Sequence, residues 1–159
     1  MIPSVKDRAW SYVLAEPTKI LVVDDDPILC EFSKVYLATP SALIETVSGV
    51  DDAVDRMKEE SFDIVLIDIE MPGRDGYELL QIIRSDPATV NLPVMMLTGR
   101  EDIASIDHSY DLGATAFTTK PVNWRQLSYQ IRYLLRSSKT ERELRLRLSQ
   151  KGATSDRCM

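Results

Sequence analysis

The feature that most restricts the fold is a series of short apolar runs that end in polar or charged residues and are separated by longer amphipathic stretches. Ile20, Leu21, Val22 and Val23 form one such run, which leads directly into Asp24, Asp25 and Asp26. Ile64, Val65, Leu66 and Ile67 form a second, which ends in Asp68. Short continuous runs of this kind, rich in β-branched residues, read as strands buried on both faces. Further strands are expected at 42–47, at 93–97 ending on Thr98, and at 116–119. Helices are predicted between them at 27–38, 50–60, 77–84 and 103–112, the first opened by Pro27 and the last closed by Gly113. In the first helix Ile28, Leu29, Phe32, Val35 and Tyr36 recur at helical spacing, and in the second Val50, Ala53, Val54 and Met57 point inward. A fifth helix is expected from Trp124 to about residue 150, because no Gly or Pro interrupts it before Gly152. Five strands interleaved with five helices predict an α/β fold, a doubly wound parallel sheet covered on both faces.

Composition narrows the class further. The chain has 159 residues, 44% of them hydrophobic and 28% charged, which suits one globular domain with short arms. Cys30 and Cys158 are too few for a disulfide framework or a zinc site. No apolar run approaches the roughly 18 residues of a membrane span, and the first 16 residues lack a signal-like apolar core. A cytoplasmic protein without membrane contact is expected. Residues 1–131 hold 11 Lys and Arg against 22 Asp and Glu, whereas residues 132–159 hold 8 against 3. Such an acidic body repels nucleic acid, so no direct DNA binding is expected, and the basic tail reads as the solvated face of a helix.

Ligands of open α/β sheets bind beyond the carboxyl ends of the strands. The predicted first strand delivers Asp24, Asp25 and Asp26 to that edge, the third Asp68, the fourth Thr98 and the fifth Lys120. Two carboxylates about 4 Å apart repel by about 4 kcal/mol at an effective dielectric of 20, so a proton or a cation must relieve the cluster. Oxygen ligands with no His or Cys among them suit Mg²⁺. The flavodoxin-like topology also raises the possibility of flavin binding, but the Asp-Asp-Asp-Pro loop would repel a phosphate that carries no metal. His108 reads as a solvated helix-face residue, and Cys30 as a small core residue.

Four blocks then carry a resemblance: Val22-Val23-Asp24-Asp25-Asp26-Pro27, Leu66-Ile67-Asp68-Ile69-Glu70-Met71-Pro72-Gly73, Met96-Leu97-Thr98-Gly99 and Phe117-Thr118-Thr119-Lys120-Pro121. In order and spacing the segment 18–136 resembles the receiver domain of bacterial two-component response regulators, with 1–17 as an N-terminal arm and 137–159 as a helical extension and tail. The resemblance implies that Asp68 accepts a phosphoryl group from a histidine kinase or a histidine phosphotransfer protein. It implies that Asp25 and Asp68 bind Mg²⁺ directly, with the Glu70 carbonyl as a third ligand and Asp24 acting through water. Thr98 would bind a phosphoryl oxygen, Lys120 would neutralise it, and Phe117 would be the switch aromatic that turns as Thr98 moves. The Lys120–Pro121 bond is cis in most relatives, which would aim Lys120 into the pocket.

Other expectations concern the rim and the output. Glu70 and Arg100 flank the pocket, and an ion pair between them would hinder the attacking water. Beyond residue 136 too few residues remain for a DNA-binding or cyclase effector in this sequence. Leu127, Ile131, Leu134 and Leu135, then Leu144 and Leu148, extend an amphipathic pattern interrupted at Ser137, Ser138 and Thr140. A homodimer through the fourth and fifth helices or the helical extension is therefore open. The stretch from Gly113 to Trp124 is also similar to receivers at the front of cyclic-di-GMP-metabolising regulators, so a stand-alone regulator and a piece of a larger one both stay open. Two alternatives are weighed against the switch: a phosphatase with an aspartyl nucleophile, whose Asp-x-Asp-x-Thr pattern lacks its threonine here, and a phosphorylation-independent binding module.

Overall fold

The computed structural model describes residues 17–99 and 102–157, with side chains described up to 151. The arm expected at 1–17 therefore lies outside the described residues except for Pro17. The elements alternate as the apolar pattern requires: β1 (Thr18–Val23), α1 (Pro27–Leu37), β2 (Ala42–Val47), α2 (Val50–Glu59), β3 (Ile64–Asp68), α3 (Gly76–Ser85), β4 (Val94–Thr98), α4 (Ile103–Asp111), β5 (Ala116–Thr119) and α5 (Trp124–Arg157). The sheet is five-stranded in the order β2-β1-β3-β4-β5, with every pairing parallel.

Side chains alternate across each strand, so each apolar run supplies both layers. Leu21, Val23, Val65, Ile67, Val94 and Met96 pack against α2 and α3. Ile20, Val22, Ile64, Leu66, Met95 and Leu97 pack against α1 and α5 on the opposite face. Central strands buried on both sides have no polar face to show, which is why they read as continuous apolar runs. Helix starts are set by short polar caps. Asp26 accepts the Ile28 N–H at 2.9 Å ahead of α1, Asp75 accepts the Glu78 N–H at 3.1 Å ahead of α3, and Asp102 accepts the Ser105 N–H at 3.1 Å ahead of α4.

Two details depart from the sequence reading. In α1 the residues facing the sheet are Leu29, Ser33 and Leu37, while Ile28, Phe32, Val35 and Tyr36 are exposed. Positions four apart share a face of the helix, and the path from β1 through Pro27 turns that of Leu29 inward. The buried Ser33 hydroxyl is satisfied by donating to the Cys30 carbonyl at 2.7 Å. At the other end, α5 does not stop near residue 150 but continues through Gly152 to Arg157. A helical Gly costs about 1 kcal/mol relative to Ala, which weakens a helix without breaking it. The end expected to be a loose arm from 151 is thus helical to 157. Only the first turns of α5 lie on the sheet, through Leu127, Ile131 and Leu134, and Leu144, Leu146 and Leu148 further along are exposed.

One arginine fastens the loops at the opposite end of the sheet from the acids. Arg84, half-buried at the end of α3, donates to the carbonyls of Gly113 at 2.8 Å, Leu92 at 2.6 Å and Val90 at 3.2 Å, and to the Thr115 hydroxyl at 3.2 Å. Burial lowers its pKa from the ordinary arginine value. Arg84→Met leaves the part-buried Gly113 and Leu92 carbonyls without this donor and is expected to cost about 2–4 kcal/mol in urea unfolding. A loss under about 0.5 kcal/mol would show that water replaces the guanidinium at no cost.

Candidate functional site

The carboxyl ends of β1, β3, β4 and β5 meet at one edge because the parallel register aligns them: Val23 pairs with Ile67, Asp68 with Leu97, and Thr98 with Thr119. Asp24 and Asp68, each one step along its strand, are buried at 1% and 3% exposure, while Asp25 faces solvent. One carboxylate oxygen from each of Asp24, Asp25 and Asp68 lies within 4.8 Å of the others. The backbone N–H of Lys120 donates to the Thr98 carbonyl at 2.7 Å, which continues the β4–β5 ladder and seats Lys120 beside the acids. Its ammonium donates to Asp24 at 2.9 Å and lies 3.3 Å from Asp68. The Lys120–Pro121 peptide bond is cis, as expected for this position.

The electrostatics follow from crowding. Burial is the largest influence on Asp68, followed by the charge of Asp24, and together they raise its pKa to about 6 against the pull of Lys120 and the Glu70 N–H. Burial works against the Lys120 charge, but the hydrogen bond and charge of Asp24, then those of Asp68, outweigh it and hold the ammonium above its ordinary pKa. Cys30 lies at the rim, not in the core as expected. It is half-buried, its thiol reaches the Asp24 carbonyl at 3.4 Å, and burial followed by the Asp24 charge pushes the thiol pKa up. That position favours the unreactive protonated form.

The structure brings Asp24, Asp25, Asp68, Thr98 and Lys120 to one edge, as the strand ends require. Thr98 is buried, and its hydroxyl donates to Glu70 Oε1 at 3.3 Å, while the Glu70 N–H donates to Asp68 at 3.2 Å. Phe117 is half-buried against the core layer of α2 and α3, one position along β5 from Thr118, the partner of Leu97. His108 is exposed on α4 and meets the Tyr77 ring edge-on at 4.5 Å. Arg100, paired with Glu70 in the sequence reading, lies outside the described residues. Sequence reasoning missed Gly76. A Cβ there would collide with the Asp68 carbonyl and stand 2.9 Å from both Ile67 Cγ2 and Ile69 Cα, so only glycine lets α3 start directly against the Asp68 strand. The nearby Pro72 and Gly73 made Gly76 look like one more loop residue.

The description of the response regulator receiver domain matches residues 20–132. The chain belongs to that family. It is 33% identical over 119 residues to the transcriptional regulatory protein ResD of Bacillus subtilis, covering 75% of this chain and 48% of ResD. It is 31% identical over 116 residues to the heme response regulator HssR of Staphylococcus epidermidis, covering 73% of this chain and 50% of HssR. The receiver thus spans about half the length of these curated relatives. Among solved structures, a receiver domain protein from Methanospirillum hungatei superimposes with a TM-score of 0.73 at 28% identity, covering 79% of this chain and 99% of that one. A response regulator from Chloroflexus aurantiacus gives 0.71 at 28% identity, covering 76% and 98%.

For a receiver, the acidic pocket and Lys120 are consistent with phosphoacceptance, and receiver domains are phosphorylated by histidine kinases. Response regulators are signalling proteins, which sets the phosphatase alternative aside. The three carboxylates are an oxygen-only donor set typical of a receiver Mg²⁺ site; when bound, the cation supplies positive charge to a transferring phosphoryl group. Among the described residues no helix is long and apolar enough to cross a membrane.

Proposed function

We propose that this receiver takes a phosphoryl group from the phosphohistidine of a kinase or a histidine phosphotransfer protein onto Asp68, in the cytoplasm. In that transfer the imidazole N–P bond breaks and an Asp68 O–P bond forms. The observation that carries the reading is the single buried carboxylate at the end of β3 that lies beside the other pocket acids and 3.3 Å from the Lys120 ammonium. Phosphoryl transfer needs in-line positioning and charge stabilisation more than covalent help. Lys120 supplies a fixed positive charge and Thr98 a hydroxyl donor; Asp25, Asp68 and the Glu70 carbonyl would hold Mg²⁺ directly, with Asp24 acting through water. Phe117 is the switch aromatic in this reading.

The exposed apolar stripe of α1 supports a docking face for the donor. Ile28 follows Pro27 at the pocket rim, Phe32 and Val35 continue its face, and Tyr36 stacks on Trp124 at 5.7 Å. Output runs through α4 and α5 or the helical extension beyond residue 136, by homodimerisation and without direct DNA contact. A groove along β5 and α5, lined in part by Gln126, Tyr129, Gln130 and Tyr133, and the exposed leucines further along α5 support this face. A helix that leaves the domain in this way also suits a receiver placed ahead of a cyclic-di-GMP effector.

Incubation with acetyl phosphate and Mg²⁺ should add about 80 Da, the mass of one phosphoryl group, to the wild type and nothing to Asp68→Asn. Sizing chromatography of the same samples reads dimerisation. Transfer from a phosphorylated kinase should slow in Phe32→Ala while labelling by acetyl phosphate does not. Absence of the adduct with both donors would leave a phosphorylation-independent binding module.

A further inference from the structure

We infer that the Glu70 side chain is a latch on Thr98, holding its hydroxyl in the resting protein and releasing it when Asp68 is phosphorylated. The inference rests on Asp68 being the phosphoacceptor and adds a positioning residue to that site. The Thr98 hydroxyl has one proton to donate, and in this structure it goes to Glu70 Oε1 at 3.3 Å. Lys120 is in a different position. Its ammonium has three donors, so it can reach a phosphoryl oxygen while still bonded to Asp24 at 2.9 Å. Of the two pocket donors, only Thr98 must therefore leave one acceptor to serve another.

The geometry links that exchange to phosphorylation. Glu70 is two residues beyond Asp68, and its own N–H donates to the Asp68 carboxylate at 3.2 Å. A phosphoryl group on Asp68 would add about −1.5 to −2 charges beside the Glu70 carboxylate. The like charges repel, and a phosphoryl oxygen replaces Glu70 as acceptor, so the long 3.3 Å bond to Glu70 is exchanged for one to the phosphoryl group. Release of the long resting bond therefore costs the hydroxyl little, and Glu70 sets the bias between its resting and switched positions.

The test compares Glu70→Gln with Glu70→Ala. Both remove the charge, but only Gln keeps a side-chain oxygen within reach of Thr98. Affinity for beryllium trifluoride, a phosphoryl mimic, is measured by titration in the presence of Mg²⁺, with and without Thr98→Val. Glu70→Ala should bind the mimic about three- to tenfold more tightly than Glu70→Gln, the weight of one net hydrogen bond. That difference should vanish when Thr98 is Val. Without the mimic, the Thr98 methyl resonance should move in Glu70→Ala and stay near its wild-type position in Glu70→Gln. Equal affinities with Thr98 present, or a difference that survives Thr98→Val, overturn the latch alone. Wild type that fails to bind the mimic, or Asp68→Asn that binds it equally well, overturns the phosphoacceptor reading and the latch with it.

Discussion

Lys120→Met should destabilise the receiver by about 3 kcal/mol at pH 8 without Mg²⁺, and the loss should shrink on acidification. Lys120 bonds Asp24, whose side chain is fully buried, and lies 3.3 Å from Asp68. Without it two buried carboxylates face each other with no cation between them. The sign follows from the Asp68 pKa, which burial and then Asp24 raise from 3.8 to about 6 in the folded protein. An acid whose folded pKa is raised favours the folded state when protonated, so its contribution falls as pH rises through that window. Loss of Lys120 removes a lowering influence and extends the fall to higher pH. Urea unfolding at pH 5 and pH 8 reads the difference, and Mg²⁺ should restore part of the stability at pH 8 by taking the place of the ammonium charge. Asp68→Asn should act with the opposite sign, stabilising the metal-free protein at pH 8 by on the order of 1–2 kcal/mol. Equal losses at both pH values in Lys120→Met would mean that the side chain matters through packing and not through charge.

The second large effect is steric. Gly76→Ala should cost about 3 kcal/mol, which for a domain of this size lowers the melting temperature by about 10 °C. The added methyl would meet backbone, the Asp68 carbonyl and Ile69 Cα, and backbone in a central strand has no rotamer to change. The Gly76 N–H also donates to the Ile69 carbonyl at 3.0 Å, so relief by withdrawing α3 would break that bond. Because the collision falls on the Asp68 peptide, labelling by acetyl phosphate should slow along with the loss of stability. Differential scanning calorimetry checks the first part. A melting temperature within about 2 °C of wild type would show that α3 moves aside at little cost.

Much of the fold was legible because each element carries its own periodicity. The runs 20–23 and 64–67 had to be central strands, and their burial on both faces follows from the helices on either side. Asp68, Thr98 and Lys120 stood out because each directly follows, or closes, a strand, where a parallel sheet collects its ligands. The α1 face was not legible. Ile28, Phe32 and Val35 are as apolar as Leu29 and Leu37, and helical spacing alone does not say which stripe turns inward. The core position expected for Cys30 fails for the same reason, since a small apolar residue on a helix carries no mark of which side meets the sheet.

The order and type of the elements, the parallel sheet, the family and the acidic chemistry at the strand ends are all written in the residue pattern. These depend on patterns local to each segment or on residue types that have few other uses together. The contacts made across elements come from packing in three dimensions: Lys120 between Asp24 and Asp68, Thr98 bonded to Glu70, Gly76 against the Asp68 carbonyl, and Arg84 across two loops. Such contacts join residues up to 96 positions apart, and their geometry is fixed by strand register and helix packing, which no local pattern encodes.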